Sequence, residues 1–129
     1  MRVFVTGASG AIGRRLVPQL IDAGHEVTGA HRSPAGADRL RSLGATPVML
    51  DLLDARAVRN AVLESEPEAI VHQATALADV KFGRNMDKVT AKTNKLRTQG
   101  TDALLAAARE AGVHRFVAQS VAAFGRYPT

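Results

Sequence analysis

The stretch VFVTGASGAIG, residues 3–13, restricts the folds open to this chain more than any other feature. Val3, Phe4 and Val5 form a short apolar, β-branched run that reads as a buried strand. A second apolar pattern, at helical spacing, begins at Ile12, and between the two stand Gly7, Gly10 and Gly13. A strand that turns at once into a helix, with its main chain close to a bulky ligand, needs this arrangement. Gly7 takes the dihedral angles of the turn, Gly10 leaves room against the backbone, and Gly13 lets the first helical turn press onto the strand. The free N–H groups of that turn, with the positive end of the helix dipole, favour a pyrophosphate. A nucleotide-binding strand–turn–helix is the expectation; the competing reading is a plain structural turn.

Length and composition narrow the remaining classes. The 129 residues suit one domain, 1–129, with a core of moderate size. No apolar run approaches the roughly 20 residues of a membrane span, and the chain enters a strand without a signal-peptide pattern. A membrane partner is therefore not expected, and a cytoplasmic location is. The sequence has no cysteine, which excludes disulfides and thiolate metal sites, and no metal site is expected. The net charge is +5, but the arginines are scattered and few aromatics accompany them. An anionic cofactor and a basic surface explain this better than nucleic acid does.

Taken in order, Ile12, Leu16, Val17, Leu20 and Ile21 make one helical stripe that contains Pro18 and stops at Gly24. A second strand, 25–30, leads to His31 and Arg32. An acidic residue here would hold the ribose of NAD, whereas Arg32 suits the extra phosphate of NADP, with Arg39 a more distant reserve. NADP is thus preferred over NAD; the competing view is a solvated basic loop. Ser33–Gly36 reads as a turn, 37–43 as a short helix and 48–50 as a third strand. Asp51, at that strand's carboxyl end, is placed either to accept from an adenine amino group or to cap the next helix. Asp54 is the better cap, before the buried face Val58, Ala61 and Val62.

Strand four, 69–72, ends in His72, read as a structural residue rather than a ligand. Small residues follow it, including Ala74 and Thr75, and would admit a cofactor backbone. The polar segment 79–87 reads as a loop over the site. A helix follows over 89–111, with Leu96, Gly100, Leu104, Leu105 and Ala108 on its packed face. Strand five, 115–119, ends at Ser120. The alternation implies a Rossmann-type, doubly wound parallel sheet of order 3-2-1-4-5, truncated before any later strands.

TGASGAIG resembles the cofactor loop of the short-chain dehydrogenase/reductase superfamily. With DLLD after strand three, HQAT after strand four and GTDALLAAAREAGVHRFVAQSVAAFG, the whole chain resembles the N-terminal part of the extended branch. That branch is the NAD(P)-dependent epimerase/dehydratase family. The resemblance implies that Gly7, Ser9, Gly10, Ala11, Ile12 and Gly13 touch the cofactor, joined by Asp51, Leu52, Ala74 and Thr75. It matches Ser120 to the active-site serine, with Phe124-Gly125 where Tyr-Gly is usual. Hydride transfer between nicotinamide and a carbonyl, alcohol or nucleotide-sugar substrate is the implied chemistry. The chain departs from the family pattern in two places. Arg97 stands where the family usually has Asn, and the Tyr-x-x-x-Lys pair is missing: Tyr127 is the one tyrosine, and no lysine follows Lys95. The alternative is a non-catalytic NADP(H) sensor or an inactive fragment. Self-association is expected if strand five is an uncovered edge.

Overall fold

The computed structural model describes residues 1–74 and 86–119. Within them strands and helices alternate as β1 (Arg2–Thr6), α1 (Gly13–Asp22), β2 (Glu26–His31), α2 (Pro34–Ser42) and β3 (Thr46–Met49). Then come α3 (Ala55–Ser65), β4 (Ala69–His72), α4 (Met86–Ala111) and β5 (Arg115–Ala118). The strands form one parallel sheet in the order β3-β2-β1-β4-β5, as the sequence pattern predicts.

β1 lies at the centre, with Val3 beside Val27 of β2 on one flank and Ala69 of β4 on the other. Residues Val3 to Thr6 are all buried, the mark of a parallel strand covered on both faces. The two-residue period of the strand divides the core. Phe4 joins Ile70, Val58, Val62 and Leu104 beneath α3 and α4, while Val3 and Val5 join Val17, Val27 and Leu40 beneath α1 and α2. Each such side chain contributes about 1.5–3 kcal/mol on burial. Arg59 of α3 and Glu110 of α4 close over the first layer, Nε to Oε2 at 2.7 Å and Nη2 to Oε1 at 2.5 Å.

Several local expectations change. Ser33-Pro34-Ala35-Gly36 is a helix start rather than a turn: Ser33 Oγ accepts from the Gly36 N–H at 3.2 Å and Pro34 opens α2. Proline suits that position because the first amide of a helix has no partner to lose. β3 takes in Thr46 and Pro47 and ends at Met49. Pro47 is tolerated because β3 is an outer strand of the described sheet, with one side free of ladder bonds. Ile12 is the N-cap of α1 and 49 % exposed, so it stands outside the packed stripe. On α4, Ala107 rather than Leu105 is buried, since it lies three positions after Leu104 on the same face.

Pro18 lies inside α1, yet the ladder continues past it, the Ala23 N–H donating to the Gln19 carbonyl at 3.1 Å. α4 begins at Met86, earlier than expected, and most of the polar segment 79–87 lies outside the described residues. β5 ends at Ala118 and leaves Val117 61 % exposed. Among the described residues no helix is long and apolar enough to cross a membrane.

Candidate functional site

The carboxyl ends of all the strands open on one edge of the sheet, where β2 and β4 leave β1 in opposite directions. In open parallel sheets this reversal makes the ligand crevice. The loop from β1 to α1 forms its floor. Gly7 has φ +65°, and a Cβ there would lie 2.6 Å from the Gln73 carbonyl oxygen and 2.8 Å from the Ala74 nitrogen. A Cβ on Gly13 would run into the carbonyls of Gly7 and Ala8. Both glycines are thus demanded by the protein's own packing.

Gly10 is different. Among the described residues, a Cβ there would meet only the Gly7 carbonyl oxygen, at 3.3 Å, and otherwise open space. The Gly10 N–H donates to that same oxygen at 3.1 Å, and the Arg14 N–H to the Gly10 carbonyl at 2.9 Å. The N–H groups of Ala11, Ile12 and Gly13 have no acceptor among the described residues. α2 and α3 each start on a side-chain cap, from Ser33 and Asp54, but α1 has neither a cap nor an acidic residue in its first turn. Unpaired amides at a positive helix end, beside a glycine with an open flank, form a seat that fits an anion.

The adenosine side of the crevice is built by β2 and α2. A Cβ on Gly36 would lie 3.0 Å from His31 Cβ and 3.2 Å from Ser9 Oγ, so the first turn of α2, the end of β2 and the glycine loop converge. Arg39 is not distant from this point: its Nη1 donates to the Ser9 carbonyl at 3.1 Å, pinning α2 to the loop. Arg32 is exposed beside it, and Asp38, the acidic residue of α2, is paired with Arg41 at 3.3 Å. His31 is buried, with its Nδ1 unpaired among the described residues. At the end of β3, Asp51 Oδ1 accepts from the Leu53 N–H at 3.0 Å, while Asp54 caps α3 by accepting from the Ala57 N–H at 3.1 Å. Asp51 therefore shapes its own turn and is not the cap of α3. Leu52 places its side chain in the core. Ala74 is half-buried at the mouth of β4, whereas Thr75 and Ser120 lie outside the described residues.

The sequence did not reveal a buried link at the foot of this crevice. The Thr6 hydroxyl donates to His72 Nδ1 at 2.7 Å and accepts from the Gln73 N–H at 3.0 Å. His72 Nε2 lies 3.2 Å from the Leu96 carbonyl, which can only accept, so Nε2 carries the proton and Nδ1 is the acceptor. Burial holds the His72 pKa below its ordinary value; the Leu96 bond opposes this and the Arg97 charge adds to it. The unfolded chain therefore takes up a proton before the native state does. Stability is full above the unfolded value of 6.5 and falls as the pH drops through it toward the lower native value. Thermal melts at about pH 7.5 and about pH 5.5 are expected to show this loss. His72→Gln should flatten the slope; an unchanged slope would contradict it.

A groove of about 700 Å³ lies at the opposite end, lined by Arg2, Glu68, His114 and Arg115 among others. It sits at the amino ends of β1, β4 and β5, away from the converging loops, and is not where this fold binds ligands.

Sheet order, glycine turn and uncapped helix together define a Rossmann-type nucleotide-binding α/β domain. The chain belongs to the NAD-dependent epimerase/dehydratase family, whose model matches residues 3–129. It is 44 % identical over 126 residues to a 3-diazoavenalumate denitrifying reductase of a Streptomyces species, covering 95 % of this chain and 38 % of that protein. It is 31 % identical over 129 residues to the 4-hydroxy-2-methyl-3-oxo-4-farnesyl-3,4-dihydroquinoline-1-oxide ketoreductase of Stigmatella aurantiaca, covering 98 % and 36 %. Among solved structures, the Bordetella bronchiseptica enzyme WbmG in complex with NAD matches with a TM-score of 0.71 at 26 % identity, over 92 % of this chain and 36 % of that one. The chain thus spans little more than a third of the length of these relatives.

Proposed function

We propose that this chain binds NADP(H), in preference to NAD(H), as the cofactor domain of a reductase that acts on a carbonyl-type substrate. The observation that carries the proposal is the start of α1, with three N–H groups unpaired among the described residues, no side-chain cap, and the open flank of Gly10 beside them. A pyrophosphate there would accept from Ala11, Ile12 and Gly13 and gain from the helix dipole. The bound cofactor supplies hydride chemistry at its nicotinamide. The part of this chain is to hold it: Gly7 and Gly13 fix the loop, Ser9 and Arg39 tie it to α2, and Ala74 leaves space at the end of β4, with Thr75 assigned to the cofactor on the family resemblance alone. Asp51 keeps one carboxylate oxygen for an adenine amino group. Ser120 is proposed to hydrogen-bond the substrate oxygen, on the family resemblance alone. Reductases among the sequence relatives support reduction as the reaction. Self-association through β5, where Val117 is exposed, belongs to the same proposal.

Arg32 supports the choice of cofactor. It follows β2 and pairs with no carboxylate among the described residues, Ser33 lies next in sequence, and Arg39 is anchored at the same loop. One charge-assisted hydrogen bond to a phosphate contributes about 1.5–3 kcal/mol. NADPH is therefore expected to bind roughly tenfold or more tightly than NADH, and Arg32→Ala to remove most of that difference. Calorimetric titration of both cofactors into both proteins tests this. Tighter binding of NADH by the unmutated protein would contradict it.

A further inference from the structure

Arg97 of α4 carries a feature that cofactor binding leaves unused. Its Nε and Nη2 are closed off from solvent and have no hydrogen-bond partner among the described residues. These two atoms form one edge of the guanidinium, whose parallel N–H bonds match the two oxygens of a carboxylate. The protein uses the same edge elsewhere, where Arg59 Nε and Nη2 hold Glu110 at 2.7 and 2.5 Å. At Arg97 the fork lacks its acceptor among the described residues. An enclosed cationic edge with nothing to donate to is unfavourable, and a carboxylate satisfies its charge and both N–H groups at once.

The placement of Arg97 says where that anion comes from. α4 runs back against the direction of β4, so its amino-terminal half lies at the carboxyl end of the sheet. The Leu96 carbonyl marks that level by meeting His72 Nε2 at the end of β4. Helical side chains lean toward the amino terminus of their helix, which here is the direction of the crevice. Arg97 is close enough to His72 for its charge to disfavour the imidazolium. Gln73, the next residue, has its Oε1 buried and without a partner among the described residues as well. Among the described residues, Asp51 is engaged on the Leu53 N–H and Glu110 on Arg59. Asp102 is exposed, more than a turn further along α4.

We propose that Arg97 binds a carboxylate of the substrate through Nε and Nη2, making the protein selective for acids over their neutral amides. This rests on the cofactor reading above, which brings the substrate to the same strand ends. Arg97 is then a specificity residue, with the cofactor's phosphates held at the far side of the glycine loop.

The test uses the NADPH-loaded protein and three pairs of probes: acetate, benzoate and cinnamate against acetamide, benzamide and cinnamamide. Binding is followed by calorimetry and by the ¹H–¹⁵N signal of Arg97 Nε, assigned through its loss in Arg97→Lys. At least one acid is expected to bind on the order of ten- to a hundredfold more tightly than its amide, to shift the Nε signal and to raise the His72 pKa. Arg97→Lys keeps the charge but loses the fork, and Arg97→Gln loses both; each should abolish the acid preference. NADPH fluorescence, read separately, reports an intact fold and cofactor seat in both variants. Equal affinity for acid and amide across all pairs overturns the proposal, as does a preference that survives in Arg97→Gln. So does an Nε signal already in its carboxylate-bonded position before any acid is added and unmoved afterwards, which would assign the fork to a carboxylate of the chain. If the unmutated protein fails to bind NADPH, the cofactor reading itself falls; if it binds NADPH without acid preference, only the Arg97 assignment does.

Discussion

Gly10→Val is expected to weaken NADPH binding on the order of a hundredfold or more while leaving the fold in place. The size follows from losing two or more charge-assisted bonds at about 1.5–3 kcal/mol each. The separation of binding from folding follows from geometry. A Cβ at Gly10 meets one backbone oxygen at 3.3 Å, which a shift of a few tenths of an ångström relieves, and the residue does not have positive φ. The two methyl groups of valine then stand in the open space beside the Ala11, Ile12 and Gly13 amides. Fluorescence titration with NADPH and a thermal melt of the same samples check both halves. Unchanged affinity in a folded variant would mean that the ligand does not pass over Gly10.

Gly7→Ala should do the opposite and severely destabilise the fold. At φ +65° an L side chain carries about 1–2 kcal/mol of backbone strain. The new methyl would also press on main chain at 2.6 to 2.8 Å, forcing apart the ends of β1 and β4 at the centre of the sheet. Together these place the loss beyond about 4 kcal/mol, a large share of a typical domain stability of about 5–15 kcal/mol. Gly24→Ala is the matched control. Gly24 has φ +91° but nothing within 4 Å, so it should lose only the strain, about 1–2 kcal/mol. Urea denaturation of the two variants separates packing from strain. Equal losses would show that the Gly7–Gln73 contact carries no weight.

These two glycines also mark what could be seen in the sequence. The strand, turn and helix around them follow from local spacing, and the sheet order follows from alternation with right-handed crossovers. Local signals failed where two structures share one signature. Ser-Pro-Ala-Gly fits a turn and a capped helix equally well, and only the packing of Ala37 and Leu40 against the sheet selects the helix. The end of α3 had no glycine to announce it: Glu66 itself takes φ 47°, its carbonyl held by Arg2 Nε at 2.7 Å. In the site, the glycine loop was legible because its need is local. The Arg39–Ser9 bond joins residues thirty apart and the Thr6–His72 bond residues sixty-six apart, so neither exists until α2 and β4 have docked. Arg97 stood out by residue type, yet the sequence could not say that its fork would be enclosed beside His72.

The seat at the start of α1 is tested most directly by an amide-resolved NMR titration with NADP⁺. If the pyrophosphate binds there, the N–H signals of Ala11, Ile12 and Gly13 move first and furthest, downfield and in step with saturation, followed by those around Arg32 and Ala74. Shifts confined to the opposite groove, around Arg2, Glu68 and Arg115, or no shift at these three amides at saturating cofactor, would contradict it.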